Sequence, residues 1–227
     1  MNTPSEALRA MLSANFPALT PGEDLLRRLA PLVPLRRLGR GRTLFAQGQP
    51  TAAVYAVITG EIETRFIGPD GQVSSLDHVP PPRIFGLAAF VTGQPSSYEA
   101  LATVPSQVLS ISEPAYRLLM DELPGFARAL MREFALRFDS TMRLLEAARH
   151  RSAAERFSLA LAQMAHRRAL GEHDADGWKP VAATQAELAT LASLSRQTVN
   201  QLLRQAVAEG RLRSSYGRMW IKPAPER

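Results

Sequence analysis

The chain has 227 residues, 45% of them apolar, no cysteine and a formal net charge of +6. That length suits two modest domains with separate cores. No apolar run reaches the ~18 residues of a membrane span, and the N-terminus "MNTPSEALRAML" lacks the basic start and long apolar stretch of a signal peptide, so a cytoplasmic location is expected. The missing thiols exclude disulfides, thiolate zinc sites, a cysteine nucleophile and cysteine-held iron–sulfur clusters. The charge is uneven: residues 150–227 hold 12 Lys and Arg against 7 Asp and Glu, and residues 1–149 hold 15 against 14. A basic C-terminal third suits a polyanion partner as well as it suits a solvated surface.

In chain order, residues 5–14 and 23–30 read as short helices, the second with Thr20 as cap, Pro21 in its first turn and acids after it. From Arg36 to Ser112 the texture changes to short β-branched or alternating runs, "RTLFAQ", "AVYAVITG", "EIETRFIG", "QVSSLDHV" and "QVLSIS", punctuated by Gly41, Gly48, Gly60 and Gly71. Strands of this length and spacing predict a β-sandwich of the jelly-roll kind. "EPAYRLLMDELPG" restores helical spacing, and Pro124-Gly125 breaks it before a long helix from Phe126 to His150. There Phe126, Leu130, Phe134 and Phe138 fall four apart, with Met131, Met142 and Leu145 close to the same side. Either a helix from a second subunit covers this stripe, which makes a dimer through Phe134, Phe138, Met142 and Leu145, or the stripe packs on its own sandwich.

Ser152 with Glu155 three residues on is a capping box, so a new helix starts after a hinge at residues 149–152. It runs to about Leu170 and ends in "GEHDADGW", where His166, His173, Asp174 and Asp176 show no orderly ligand spacing and read as solvated rather than as a metal site. "TQAELATLA" is a helix capped by Thr184 with Glu187 in a second capping box, and Ser195 caps the next helix after a tight turn. Helix, turn, helix is the DNA-binding plan. Leu188, Leu191, Leu194, Val199, Leu202 and Leu203 form its inner side, with Ala189 small where the helices approach. Arg196, Gln197, Asn200, Gln201 and Arg204 form the outer face of the second helix, and such side chains pair with guanine and adenine edges in the major groove. "GRLRSSYGRMWI" reads as a hairpin turning at Tyr216-Gly217, a wing offering Arg211, Arg213 and Arg218 to phosphates.

From Gly41 to Ile221 the chain resembles the cyclic-AMP receptor protein and fumarate–nitrate regulator (CRP/FNR) family of bacterial transcription factors. The resemblance is carried by "GRTLFAQGQ…VYAVITGEIE", "DGQ" in the next hairpin, "ERF" after the hinge and "SLSRQTVNQLL", which is similar to the family's Ser-Arg-Glu/Asp-Thr-Val pattern. It implies an α+β chain: a cyclic-nucleotide-binding-like jelly-roll sensor with short N-terminal helices (1–124), a dimerisation helix (125–150) and a winged helix-turn-helix domain (151–227). The implied function is that of a non-enzymatic homodimer reading a palindromic operator through helix 195–207. The DNA-binding residues are then Thr184, Ser195, Arg196, Gln197, Thr198, Asn200, Gln201, Arg204 and Arg218. Expected partners are double-stranded DNA, a second copy, RNA polymerase and an unidentified small-molecule effector, if one is needed at all.

The departures bear on that effector. Cyclic-nucleotide binders of the family carry Gly-Glu-Leu on the phosphate-binding turn and a later Arg-Ser/Thr-Ala. In "FGLAAFVTGQPSSYEA" Gly86, followed by Leu87, stands where the Glu belongs and Ser96 where the Arg belongs. An anionic phosphate loses its guanidinium there, so cyclic AMP is not the expected effector. Ser97 matches the family's phosphate-contacting hydroxyl and Thr141 its adenine-contacting threonine; the outline of a pocket and coincidence both account for them. A haem role would fall to His78, the one histidine of the sandwich, and a surface position suits it better. Gln197 and Gln201 replace an acid and an arginine common in the family, which implies a different half-site, and Ser193 stands where glycine is common in the turn. Two rivals remain: a ligand-responsive interaction module of the same fold without sequence-specific DNA binding, and a cupin-like enzyme, for which the histidines are too few.

Overall fold

The computed structural model describes residues 3–167, 176–182, 184–215 and 218–222. The chain divides into two compact units, Met1–Phe134 and Ala135–Arg227.

The first unit opens with α1 (Pro4–Asn15), whose Thr3 and Glu6 close a capping box, and α2 (Glu23–Leu29). The cap of α2 is Gly22, with no side-chain bond, and not Thr20. The first helical hydrogen bond is accepted by the Gly22 carbonyl from Leu26, so Pro21 precedes the helix, and Glu23 and Asp24 meet its positive end. Eight strands follow: β1 (Leu35–Leu38), β2 (Thr43–Phe45), β3 (Ala53–Thr59), β4 (Ile62–Ile67), β5 (Val73–Val79), β6 (Ile84–Phe85), β7 (Glu99–Ala102) and β8 (Ser106–Ser112), with α3 (Leu87–Thr92) between β6 and β7. They form two antiparallel four-stranded sheets, ordered β1-β8-β3-β6 and β2-β7-β4-β5. This is the jelly roll the strand spacing predicts.

Period-two alternation sets the faces. Ile62 and Thr64 of β4 are buried, and Ala100 and Ala102 of β7 join Tyr55, Val57, Phe85 and Val108 in the interior. Gly60, at φ +83°, closes β3 onto β4. A Cβ there would lie 2.3 Å from the Ser106 hydroxyl and 2.6 Å from the Pro105 carbonyl oxygen, so the turn excludes any other residue. Helices α4 (Glu113–Glu122) and the start of α5 (Phe126–His150) pack with α1 and α2 on a second core of Leu8, Met11, Leu12, Leu119, Phe126 and Leu130 against Val54, Leu109 and Ile111.

The apolar stripe of α5 is therefore split. Phe126 and Leu130 are buried in their own unit, whereas Met131, Phe134, Phe138, Met142 and Leu145 are exposed, Phe138 by 58%.

The second unit contains α6 (Ala153–Arg167), β9 (Lys179–Ala182), α7 (Gln185–Ala192), α8 (Arg196–Ala208), β10 (Leu212–Ser215) and β11 (Arg218–Ile221). β10 and β11 pair antiparallel from Leu212↔Ile221 to Ser215↔Arg218; the turn residues Tyr216 and Gly217 lie outside the described residues. β9, absent from the sequence reading, adds to the far side of β11. Its Pro180 disguises it, and the edge position is where a strand tolerates proline. One core joins Phe157, Ala160 and Met164 of α6 to Leu188, Ala189, Val199, Leu203, Leu212 and Met219.

Candidate nucleic-acid interface and effector pocket

The helix-turn-helix is built by caps. The Thr184 hydroxyl accepts from the Glu187 amide at 3.2 Å, and the Glu187 carboxylate accepts from the Thr184 amide at 2.6 Å. The Ser195 hydroxyl accepts from the Thr198 amide at 3.1 Å and lies 2.8 Å from the Thr198 hydroxyl. Each such cap contributes about 1 kcal/mol. Between the helices Ser193 is left-handed, φ 53° and ψ 46°. Its amide donates to Thr190 and that of Leu194 to Ala189, a Schellman closure. Holding a serine there costs about 1–2 kcal/mol relative to glycine.

Spacing along α8 then separates its faces. Val199, Leu203 and Ala206 are buried in the core, with Leu191, Leu194 and Leu202 packed at its margin. Arg196, Gln197, Asn200, Gln201 and Arg204 are exposed, and Thr198 is half-buried at the helix start. This face presents two guanidiniums and three amides, groups that read base edges, beside a helix N-terminus that favours a phosphate.

The wing hairpin forms between β10 and β11, and its Arg211 and Arg213 are exposed. The Arg211 Nε donates to Glu209 at 2.6 Å. Arg213 lies over the Trp178 ring, 4.2 Å from its centroid, with Asp176 at 4.0 Å, so both cations are engaged within the unit. The side chain of Arg218 lies outside the described residues, as do the side chain of His166 and all of His173 and Asp174. Among the described residues no group of three His, Asp or Glu could hold a metal ion.

In the first unit Gly86 is buried at φ +80°, and its amide donates to the Tyr98 phenol oxygen at 3.1 Å. A Cβ on Gly86 would meet the Tyr55 ring at 3.1 Å. Ser96 is 2% exposed and its hydroxyl donates to the Tyr98 carbonyl at 2.8 Å. The rings of Phe45, Tyr55, Phe85 and Tyr98 lie with centroids 5.5–6.2 Å apart and fill the sandwich beside this turn. Leu87 packs on the helical core, and Ser97 is exposed. Thr141 belongs to the second unit, where its hydroxyl donates to the Arg137 carbonyl at 2.9 Å. His78 sits on β5 with Nδ1 3.0 Å from Glu61 Oε1, and Thr103 donates to the same carboxylate oxygen at 2.8 Å. Tyr98 escaped the sequence reading. The signal was the alternation Ser96, Tyr98, Ala100, Ala102, which turns all four inward.

The chain thus combines, in order, a jelly roll, a long helix and a winged helix-turn-helix. Residues 35–122 match the cyclic nucleotide-binding domain family. The CRP-like cAMP-activated global transcriptional regulator of Mycobacterium tuberculosis is 27% identical over 77% of each chain. The Cyclic AMP receptor protein of Thermus thermophilus is 27% identical over 82% of each. The fold is shared with a CRP/FNR-family transcriptional regulator of Thermus thermophilus, with TM-score 0.60 and 23% identity over 84% of this chain and 94% of that one. Over about four fifths of its length the chain is thus similar to cAMP-responsive transcription regulators of the CRP type. No described helix is long and apolar enough to cross a membrane.

Proposed function

We propose that the chain acts in the cytoplasm as a homodimeric DNA-binding regulator whose operator is read by α8. The observation that carries this reading is the division of α8 into a buried apolar face and an exposed face of Arg196, Gln197, Asn200, Gln201 and Arg204. Thr184, Ser195 and Thr198 supply hydroxyls, and Arg218 a cation, for the phosphates that position the helix. The second copy is supplied by α5. Met131, Phe138 and Leu145 repeat every seven residues, with Phe134 and Met142 between them, and their exposure suits a seam between paired helices. Two recognition helices about 34 Å apart then enter successive major grooves of a palindromic site.

Control by cyclic AMP is not part of this reading. The residues at the phosphate turn do not fit an anionic ligand. No guanidinium stands at Ser96, and Tyr98 already occupies the Gly86 amide. The dimer reads its operator with no cyclic nucleotide bound; an effector of another class would act on hinge 149–152, and RNA polymerase is the partner on the promoter.

The test is selection of bound sequences from a random duplex pool by the ligand-free protein at near-physiological salt. A two-fold symmetric consensus is the expected result. No enrichment, with or without cell extract, would leave the fold as an interaction module without sequence-specific DNA binding.

A further inference from the structure

We propose that Arg156 is the positioning residue of the helix-turn-helix: from α6 it holds the peptide of Ser193 at the angle that aims α8, and so sets the discrimination between operator and random DNA. The inference rests on the DNA-binding reading above.

The base of this side chain is locked. The Ser152 hydroxyl accepts from the Glu155 amide at 3.3 Å, and the Glu155 carboxylate accepts from the Ser152 amide and hydroxyl at 2.9 and 2.7 Å. The Arg156 amide then donates to the Ser152 carbonyl at 3.0 Å, and the neighbouring Phe157 is sunk in the core. From this fixed first turn the Arg156 guanidinium crosses 37 residues of sequence and donates through Nη1 to the Ser193 carbonyl at 3.0 Å. Its Nε is buried without a hydrogen-bond partner. The arginine thus leaves one of its own donors unsatisfied while it secures that carbonyl, a costly arrangement for a group with no task.

Ser193 is where such a bond matters. It is the one non-glycine residue with positive φ among the described residues. The Schellman bonds use the amides of Ser193 and Leu194 and leave the Ser193 carbonyl to Arg156. That peptide plane leads directly through Leu194 into Ser195, the cap of α8. A serine that relaxed from the left-handed region would swing the start of the recognition helix. A charge-assisted bond from a neighbouring helix opposes this relaxation.

The experiment uses the full-length chain, the operator selected by the wild type and a random duplex of equal length. Affinities are read by fluorescence anisotropy over a salt series, and melting temperature is recorded for each variant. Arg156→Met is expected to lower the operator-to-random ratio roughly tenfold, leaving the random-duplex affinity and the salt slope unchanged. Arg156→Lys, which keeps a cationic donor, retains most of the ratio. Ser193→Gly in the Arg156→Met background restores most of it, because glycine needs no help at this φ. Should Arg156→Met fail to fold, the lysine variant and the double variant carry the test.

An unchanged ratio in folded Arg156→Met overturns the proposal, as does a failure of Ser193→Gly to restore it. So does a salt slope reduced by about one, which would make Arg156 a phosphate ligand instead. A wild type that selects no sequence overturns the DNA-binding reading and this proposal with it. A wild type that selects normally beside an indifferent Arg156→Met overturns this proposal alone.

Discussion

The amide of Gly86 donates to the phenol oxygen of Tyr98 across 3.1 Å. One of the chain's own side chains thus takes the amide of the turn that the resemblance to the CRP/FNR family assigns to a ligand phosphate. A carboxylate cannot be restored at Gly86 on this backbone, since φ is +80° and the Tyr55 ring lies 3.1 Å from the site of a Cβ.

The wild type shows no saturable heat on titration with cyclic AMP, and Gly86→Glu with Ser96→Arg gains none. The double variant loses about 2–4 kcal/mol in urea unfolding, from a left-handed non-glycine residue and an overfilled interior. Saturable micromolar binding by the wild type would refute the account of the pocket.

Arg196 is exposed at the start of α8, with Gln197 beside it and Gln201 a turn later. Arg196→Ala is expected to cost about 1–3 kcal/mol on the selected operator and to relax preference at one base pair of each half-site. Gln197→Glu moves the preference at its own position toward cytosine, whose amino group a carboxylate accepts. Repeating the selection with each variant checks both. Uniform weakening across all sequences would assign these side chains to phosphates.

What the sequence makes legible and what it hides have separate physical causes. Capping boxes at Ser152 and Thr184 and the cap at Ser195 are local chemistry, written within three residues, and each forms as read. The eight-stranded sandwich follows from turn glycines and alternation, and the faces of α8 from a 3.6-residue period. Thr20 fails as a cap because Gly22 takes the position one turn boundary later. Strand β9 is hidden by Pro180, and Arg213 reads as a free cation until the fold brings Trp178 beneath it. Tyr98 with Gly86 and Arg156 with Ser193 are bonds across 12 and 37 residues, and no local pattern encodes such a meeting.

The exposed seam of α5 supports a prediction about assembly. Phe134 and Phe138 are 46% and 58% exposed, although the fold has buried Phe126 and Leu130 of the same helix. Phe138→Glu, which places a charge in the seam, is expected to halve the mass measured by sedimentation and to reduce operator affinity at least tenfold, because each half-site is then bound alone. Far-ultraviolet circular dichroism of the variant should stay close to wild type. A dimer that survives this substitution would place the subunit interface elsewhere.

Glu99 of β7 lies opposite Arg65 of β4 in register and beside Thr43 of β2, accepting from their side chains at 2.7 and 2.8 Å. Burial acts to raise its pKa, but the hydrogen bonds from Arg65 and Thr43 and the guanidinium charge prevail, so the carboxyl titrates below its ordinary 4.5. A depressed folded value contributes stability that is fully present above the unfolded pKa and is lost as the pH falls from about 4.5 through the folded value. Glu99→Gln should therefore cost about 1–3 kcal/mol near neutrality, and its deficit relative to wild type should shrink as the medium is acidified below about pH 4.5. Urea midpoints of the two proteins across that range decide the matter. Curves that stay parallel into acid would show that the carboxylate's charge contributes nothing and that Arg65 is held by other means.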